Sequence, residues 1–219
     1  MNAKVVIMSC DAYEDCWEPF FNLLDRYWKD CPYEKYIVTE TKDCKYANTI
    51  KTIGSWTARY RQALEQLDCE YVITLLDDFF LHKKVNQEKI NQILGYFKPN
   101  IACFNLEECY DTTSAESIYN GFKLRKNNQQ YLCSCQPSIW NRKILIELLS
   151  KDMTPWQWET QRLNSKYEFY INSRELIFDI GYYKERKPWA IVQGKMSNDM
   201  IDLFEREQLI LPERELLNK

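Results

Sequence analysis

The segment Tyr71-Val72-Ile73-Thr74-Leu75-Leu76 carries no charge, and it ends abruptly on Asp77-Asp78. An uncharged run of this length without polar alternation is expected of a strand covered on both faces, as in a parallel sheet with helices above and below. Lys4 to Ser9 has the same character, and Tyr36 to Thr39 and Ile101 to Leu106 are further strand candidates. Helix-like segments separate them. Trp17, Phe20, Phe21, Leu24 and Trp28 recur on one helical face behind Asp15-x-x-Glu18, a capping-box pattern with Pro19 placed in the first turn. Gly54-Ser55 opens a second helix carrying Trp56, Tyr60, Ala63, Leu64 and Leu67, and Asn86 to Phe97 reads as a third, stopped by Pro99. This order predicts an α/β fold with a mostly parallel sheet and right-handed crossovers.

Beyond residue 107 the pattern loosens. Phe122 to Leu124 and Tyr131 to Cys135 read as paired strands around Asn127-Asn128, Asn141 to Ser150 as a short helix, and Trp156 to Leu163 as helical. Leu176 to Ile180 is read as extended and Ser197 to Gln208 as a final helix. The expectation is one domain over 1–219, its second half, 107–219, being α+β material laid against the sheet of the first half, 1–106. No low-complexity linker, repeat or charge block divides the chain.

Composition closes several alternatives. At 45% hydrophobic and 15% aromatic residues, the 219-residue chain can bury a sizeable core. A net charge of −3 and a pI near 5.4 argue against a nucleic-acid-binding surface. The apolar stretch Val5 to Met8 is too short for a signal-peptide core, and no run approaches the roughly eighteen apolar residues of a membrane span. The protein is therefore expected in the cytoplasm. Its C-terminal stretch, with Ile201, Leu203, Phe204, Leu209, Ile210 and Leu211, is apolar enough for peripheral contact with a partner or the inner face of the membrane, although packing against the domain is the preferred reading. Nine cysteines, none in a C-x-x-C pair, and a single histidine, His82, do not make a zinc pattern; the thiols read as small buried groups, with Cys133-Ser134-Cys135 the one suspect cluster.

Ligands of open parallel sheets gather at the carboxyl ends of the strands, where Asp77 and Asp78 stand. Two adjacent carboxylates there repel each other and lose hydration, and a hard divalent ion, Mn²⁺ or Mg²⁺, relieves both costs while bridging to a diphosphate. A solvated acidic turn, or a helix cap, is the competing reading. Ser9 and Asp11 lie on the same edge and are assigned to the nucleotide, together with Trp56 and Arg59 at the start of the second helix and Lys195. The five glycines form neither G-x-G-x-x-G nor a Walker pattern, so phosphate charge must be met by the metal and by Arg59 or Lys195. In Thr154-Pro155-Trp156-Gln157-Trp158-Glu159, the indoles of Trp156 and Trp158 suit stacking on a sugar. Glu159, raised toward neutrality by apolar neighbours, could deprotonate an acceptor hydroxyl; core aromatics beside a first-turn acid are the alternative. Gln136, beside Pro137 and Ser138, could line the acceptor pocket, and His82, four residues after Asp78, could reach a metal.

In order along the chain, Val5-Val6-Ile7-Met8-Ser9-Cys10-Asp11, Trp28-Lys29-Asp30-Cys31-Pro32-Tyr33, Leu75-Leu76-Asp77-Asp78-Phe79-Phe80-Leu81, Gln136-Pro137-Ser138-Ile139-Trp140, Pro155-Trp156-Gln157-Trp158-Glu159 and Val192-Gln193-Gly194-Lys195 resemble the GT-A class of nucleotide-sugar glycosyltransferases. The likeness is closer to small bacterial enzymes of capsule and lipopolysaccharide assembly. The resemblance implies a nucleotide, probed first as uridine-linked, over the first-half sheet, and a glycan or lipid-linked glycan acceptor on the second half. It implies an Asp-x-Asp-like motif holding Mn²⁺ or Mg²⁺; because Leu76-Asp77-Asp78 replaces it, Asp78 becomes the metal ligand and Asp77 a contact to ribose or to the metal through water. By the same likeness Glu159 is the base of an inverting transfer and Lys195 faces the diphosphate. A sugar-phosphate nucleotidyltransferase and a non-catalytic glycan- or nucleotide-binding module remain the alternatives.

Overall fold

The computed structural model describes residues 2–108, 117–119, 121–173, 177–181 and 190–217. Its frame is a nine-stranded sheet, ordered β3 (Asn48–Lys51), β2 (Lys35–Thr39), β1 (Ala3–Met8), β4 (Tyr71–Leu76), β8 (Ser138–Asn141), β5 (Ile101–Glu108), β9 (Glu168–Asn172), β7 (Phe122–Leu124), β6 (Ser117–Tyr119). β1 to β4, β5 and β9 run one way; β8 opposes both β4 and β5, and β7 opposes β9. The expected α/β class is what the chain adopts.

The lack of alternation along β1 and β4 has the expected cause. Val5, Ile7, Ile73 and Leu75 enter a core on one face with Trp17, Phe20, Phe21 and Trp28 of α1 (Glu14–Tyr27). Val6, Met8 and Val72 enter a second core on the other face with Tyr60, Ala63 and Leu64 of α2 (Trp56–Glu65). Each fully buried large side chain contributes about 1.5–3 kcal/mol, so leaving either face bare would be costly. Ser55 caps α2, accepting from the Ala58 amide at 3.2 Å. α3 (Gln87–Leu94) is capped by Asn86, and α4 (Arg142–Leu148) by Asn141.

Several expectations need correction. α1 begins at Glu14 with no side-chain cap, so Asp15-x-x-Glu18 is not a capping box and Pro19 lies inside the helix; Asp15 is held instead by Arg214 from the other end of the chain. β3 is too short and too exposed to have shown a buried-strand pattern. Tyr131 to Cys135 is not a strand. Phe122 to Leu124 pairs with β6 and β9, while the central strand β8 begins at Ser138, directly after the bend at Gln136-Pro137. The second half therefore continues the sheet rather than lying against it. Helix α5 (Pro155–Thr160) stops three residues short of Leu163. In 176–180, residues 177–180 form no strand and Leu176 lies outside the described residues.

The C-terminal helix α6 (Asp199–Glu207) turns Met200, Leu203 and Phe204 into the core, Phe204 meeting Phe80 edge-on at 5.1 Å. That packing uses most of the apolar face considered for a membrane or partner, although Ile210 remains 87% exposed. Among the described residues no helix is long and apolar enough to cross a membrane. Cys16, Cys44, Cys69, Cys103 and Cys133 are buried, Cys10, Cys31 and Cys135 half-buried, and all eight are free thiols; Cys109 lies outside the described residues.

Candidate active site

The register Met8↔Val38 and Met8↔Leu76 brings the carboxyl ends of β1, β2 and β4 level. Ser9, Glu40 and Asp77-Asp78 therefore leave the sheet at one edge. β8 descends beside β4 with Thr74 opposite Ser138, so Gln136 and Cys135 arrive next to the end of β4. The edge is polar because the strands end there, and crowded because chain returns to it from the second half.

Asp77 is 4% exposed. It accepts a short hydrogen bond from the Ser9 hydroxyl, which itself accepts from Trp17 Nε1 at 2.7 Å. Burial, and then the adjacent charge of Asp78, push its carboxyl well above the usual carboxylate range. Asp78 is half-buried, and burial raises it to about 6, with Arg214 drawing it down. Its Oδ1 is sealed from solvent and has no hydrogen-bond partner. Among the described residues no group of three or more His, Cys, Asp and Glu side chains is assembled to hold a metal. The two carboxylates nevertheless fit a hard cation that takes its remaining ligands from a bound substrate: burial raises both acids, the charge of Asp78 raises Asp77 further, and one oxygen is orphaned. His82 stands against Gly181, and its backbone donates to the Asp179 carbonyl at 2.8 Å.

The residues assigned to the nucleotide separate into two groups. Ser9 is occupied with Asp77 and Trp17. Asp11 clamps the loop after β2, accepting from the amides of Glu40, Thr41 and Lys42 and from the Thr41 hydroxyl. Burial opposes its charge, but the Thr41 hydroxyl and these amides outweigh it and hold the carboxyl down at about 2. Arg59 is 5% exposed; it pairs with Glu40 at 2.5 Å and donates to the Ser9 carbonyl at 2.8 Å. The side chains of Asp11 and Arg59 thus hold the strand-end loops together, which leaves little of either for a ligand. Lys195 is not free either: it pairs with Glu215 at 2.7 Å. Trp56 is half-buried at the N-terminus of α2, edge-on to Tyr60.

On the second-half side, Thr154 and Gln157 form a true capping box at the start of α5 (Pro155–Thr160). Glu159 therefore sits in the second turn, not the first. Its Oε1 accepts from the Cys135 amide at 2.8 Å and the Ser134 hydroxyl at 3.4 Å. Burial raises its carboxyl above the ordinary value, against these bonds. Trp156 is 67% exposed, whereas Trp158 is 1% exposed. Trp158 packs against Trp56 and Trp140 around a cavity of about 10 Å³, room for about one water and none for a sugar ring. The assignment of Trp158 to a sugar is therefore corrected: it is a core aromatic. Gln136 is buried, with Oε1 unpartnered.

Sequence reading missed Tyr13, Glu40 and Arg214 at this edge. Arg214 Nε and Nη2 grip Asp15 at 2.7 and 2.6 Å, Nη2 also reaches the Ala12 carbonyl at 3.0 Å, and the guanidinium lies 4.3 Å from the Tyr13 ring centroid. No local pattern marks it, because its partners stand some two hundred residues away.

No protein-family model matches the chain, and no curated protein matches it. Among solved structures it is similar to a nucleotidyl transferase from Methanothermobacter, with TM-score 0.54 at 10% identity over 94% of this chain and 98% of that one. TarS of S. aureus gives TM-score 0.49 at 13% identity over 81% of this chain and 36% of TarS. The bifunctional IspDF of Campylobacter jejuni gives 0.42 at 13% identity, and the chain spans 44% of its length. At these identities the likeness to the Methanothermobacter protein extends to the fold and no further. This chain shares its α/β architecture nearly end to end.

Proposed function

We propose that the protein is a glycosyltransferase that moves a sugar from a nucleoside diphosphate donor, in the first instance a uridine one, to a glycan or lipid-linked glycan acceptor in the cytoplasm. The observation that carries this reading is the pair Asp77-Asp78 at the end of β4, with Asp78 Oδ1 buried and unpartnered, one chain segment away from Glu159. Asp78, with Asp77 behind it, would hold Mn²⁺ or Mg²⁺. When bound, such an ion supplies Lewis-acid neutralisation of the leaving diphosphate. Asp77 is kept in place by Ser9. Glu159, oriented by the Cys135 amide and the Ser134 hydroxyl, is positioned to take the proton of an acceptor hydroxyl as it attacks the anomeric carbon. Trp156, exposed on the same helix, offers its indole face to the acceptor, with Gln136 lining the approach.

A second reading, a sugar-phosphate nucleotidyltransferase, is favoured by the end-to-end likeness in fold to a nucleotidyl transferase. Against it, β1 leads into the short turn Asp11–Tyr13 rather than a glycine-rich basic loop. The two readings part on their leaving group. With nucleotide sugars and Mn²⁺, release of nucleoside diphosphate that disappears in Asp78→Ala supports the transferase. Pyrophosphate release from a nucleoside triphosphate supports the nucleotidyltransferase, and glycan binding with no turnover of any donor would leave only a binding module.

A further inference from the structure

The two halves of the chain treat their cations differently. In the first half Lys4, Lys35, Lys42, Lys51, Arg59 and Arg61 each stand against a carboxylate. From Gly121 to Ile146 there is no Asp or Glu at all, while Lys123, Arg125, Lys126, Arg142 and Lys143 fall within that stretch. Gln161 to Tyr167, just beyond α5, is likewise free of acids and carries Arg162 and Lys166. In a chain of net charge −3, such segments concentrate positive potential on one part of the surface.

The fold draws the two segments together. Asn127 accepts from the Ser165 amide at 2.8 Å and donates to the Ser165 carbonyl at 2.6 Å. The Asn128 amide donates to the Leu163 carbonyl at 3.0 Å, and Arg162 Nη1 reaches the Asn128 carbonyl at 3.5 Å. Lys126 and Arg162 are both exposed on the surface so formed. Lys166 is tied to Glu147 at 3.3 Å, whereas no carboxylate among the described residues pairs with Lys126 or Arg162.

Tyr131 closes the same turn in an uncommon conformation. Its φ of 62° is left-handed, which a bulky side chain adopts only under constraint. The constraint acts at both ends: the Tyr131 amide donates to the Glu159 carbonyl at 2.7 Å, and its carbonyl accepts from Arg125 Nη1 at 2.5 Å. Burial of the ring does not offset the strain, since Tyr131 is 47% exposed. The turn thus holds an aromatic ring in solvent, one backbone hydrogen bond from the residue proposed as base.

We propose that this surface receives the acceptor, and that the acceptor is an acidic glycan: Tyr131 stacks on a sugar ring while Lys126 and Arg162 pair with acid groups further along it. This rests on the reading of Glu159 as the acceptor-side base and adds to it the charge of the substrate. An exposed guanidinium and ammonium suit such oxyanions, and the ring face offers an apolar platform for the C–H surface of a pyranose.

The test measures binding of a fluorescently labelled oligogalacturonate, and of a maltooligosaccharide of equal length, to the full-length protein. The wild type binds the acidic chain about tenfold or more tightly at low ionic strength, and the preference shrinks as salt is added. Lys126→Gln/Arg162→Gln abolishes the preference. Tyr131→Gly relieves the left-handed backbone as it removes the ring, so it holds the melting temperature near wild type while weakening the acidic chain about threefold or more. The proposal is overturned if the wild type binds the two oligosaccharides alike, or if either variant keeps the wild-type affinity for the acidic one. Binding to phosphatidylglycerol vesicles that the double variant loses, with no discrimination between the oligosaccharides, also overturns it and assigns the surface to a membrane. The donor reading fails separately: a wild type that prefers the acidic chain but releases no nucleoside diphosphate from any nucleotide sugar refutes that reading and leaves this surface standing.

Discussion

Glu159 Oε1 accepts the backbone N–H of Cys135 at 2.8 Å, tying α5 to the segment that passes beside Asp78. This one bond ties Glu159 to the segment that arrives beside the end of β4. It also makes the consequences of changing Glu159 separable. Glu159→Gln retains an oxygen for the Cys135 amide, so its unfolding midpoint should stay near wild type while transfer falls by about 10²- to 10⁴-fold. Glu159→Ala orphans that amide and should cost about 1–3 kcal/mol in urea unfolding. Unchanged transfer in Glu159→Gln would remove it as the base.

With Glu159 in the proposed role of base, the same carboxyl should set a pH dependence for activity. Burial raises Glu159, and a base acts only when deprotonated. The rate at limiting substrate should therefore climb with pH through a limb lying above the ordinary glutamate range. An acid limb that persists unshifted in whatever residual activity Glu159→Gln retains would assign it to another group.

Asp78 carries a stability signature opposite in sign to that of a salt-bridged acid. Its folded carboxyl is raised to about 6 from 3.8, so protonation favours the folded state. Without metal, stability should be highest below about pH 4 as far as this group is concerned and fall as pH rises toward 6, by up to roughly 3 kcal/mol. Asp78→Asn should flatten that fall and raise the midpoint in chelator at pH 7, while losing the stabilisation that Mn²⁺ gives the wild type. Melting curves with Mn²⁺ and with chelator across this range are the check.

Glu207 behaves in the usual way for a paired carboxylate. Burial works against its charge, yet Tyr27, Arg206 and Arg26 overcome this and hold it down at about 2. Its contribution should be present above pH 4.5, the ordinary glutamate value, and disappear as pH falls toward 2. Glu207→Gln should therefore cost about 2 kcal/mol at pH 7, with the gap to wild type closing in acid. Parallel denaturant titrations at the two pH values measure it.

Trp156 and Trp158 stand two residues apart and should respond in opposite ways. Trp158→Ala empties a core position shared with Trp56 and Trp140 and should cost about 3–5 kcal/mol. Trp156→Ala removes an exposed ring and should shift stability by less than about 0.5 kcal/mol, so any loss of transfer can be read as loss of acceptor contact. Unfolding and transfer measured on both variants distinguish these outcomes.

The first half of the fold was legible because its signals are local. Strands covered on both faces must be apolar throughout, and amphipathic helices must repeat at helical spacing; β1, β4, α1 and α2 carry both marks on their own residues. β3, β8 and β9 were not, since each is four or five residues long and is a strand by virtue of its neighbours. Trp156 and Trp158 looked alike for the same reason, as which indole is buried depends on the helix that packs against α5.

The sequence by itself determined that two acids end a buried strand, and strand chemistry alone places such a pair at the carboxyl edge of the sheet. Tertiary structure decided what surrounds them. It committed Asp11, Arg59 and Lys195 to partners within the chain, drew Glu159 to Cys135, and brought Arg214 from the far end of the chain to Tyr13. A charged side chain is claimed by whichever opposite charge or amide the fold brings within about 3 Å, and that neighbour is seldom close in sequence.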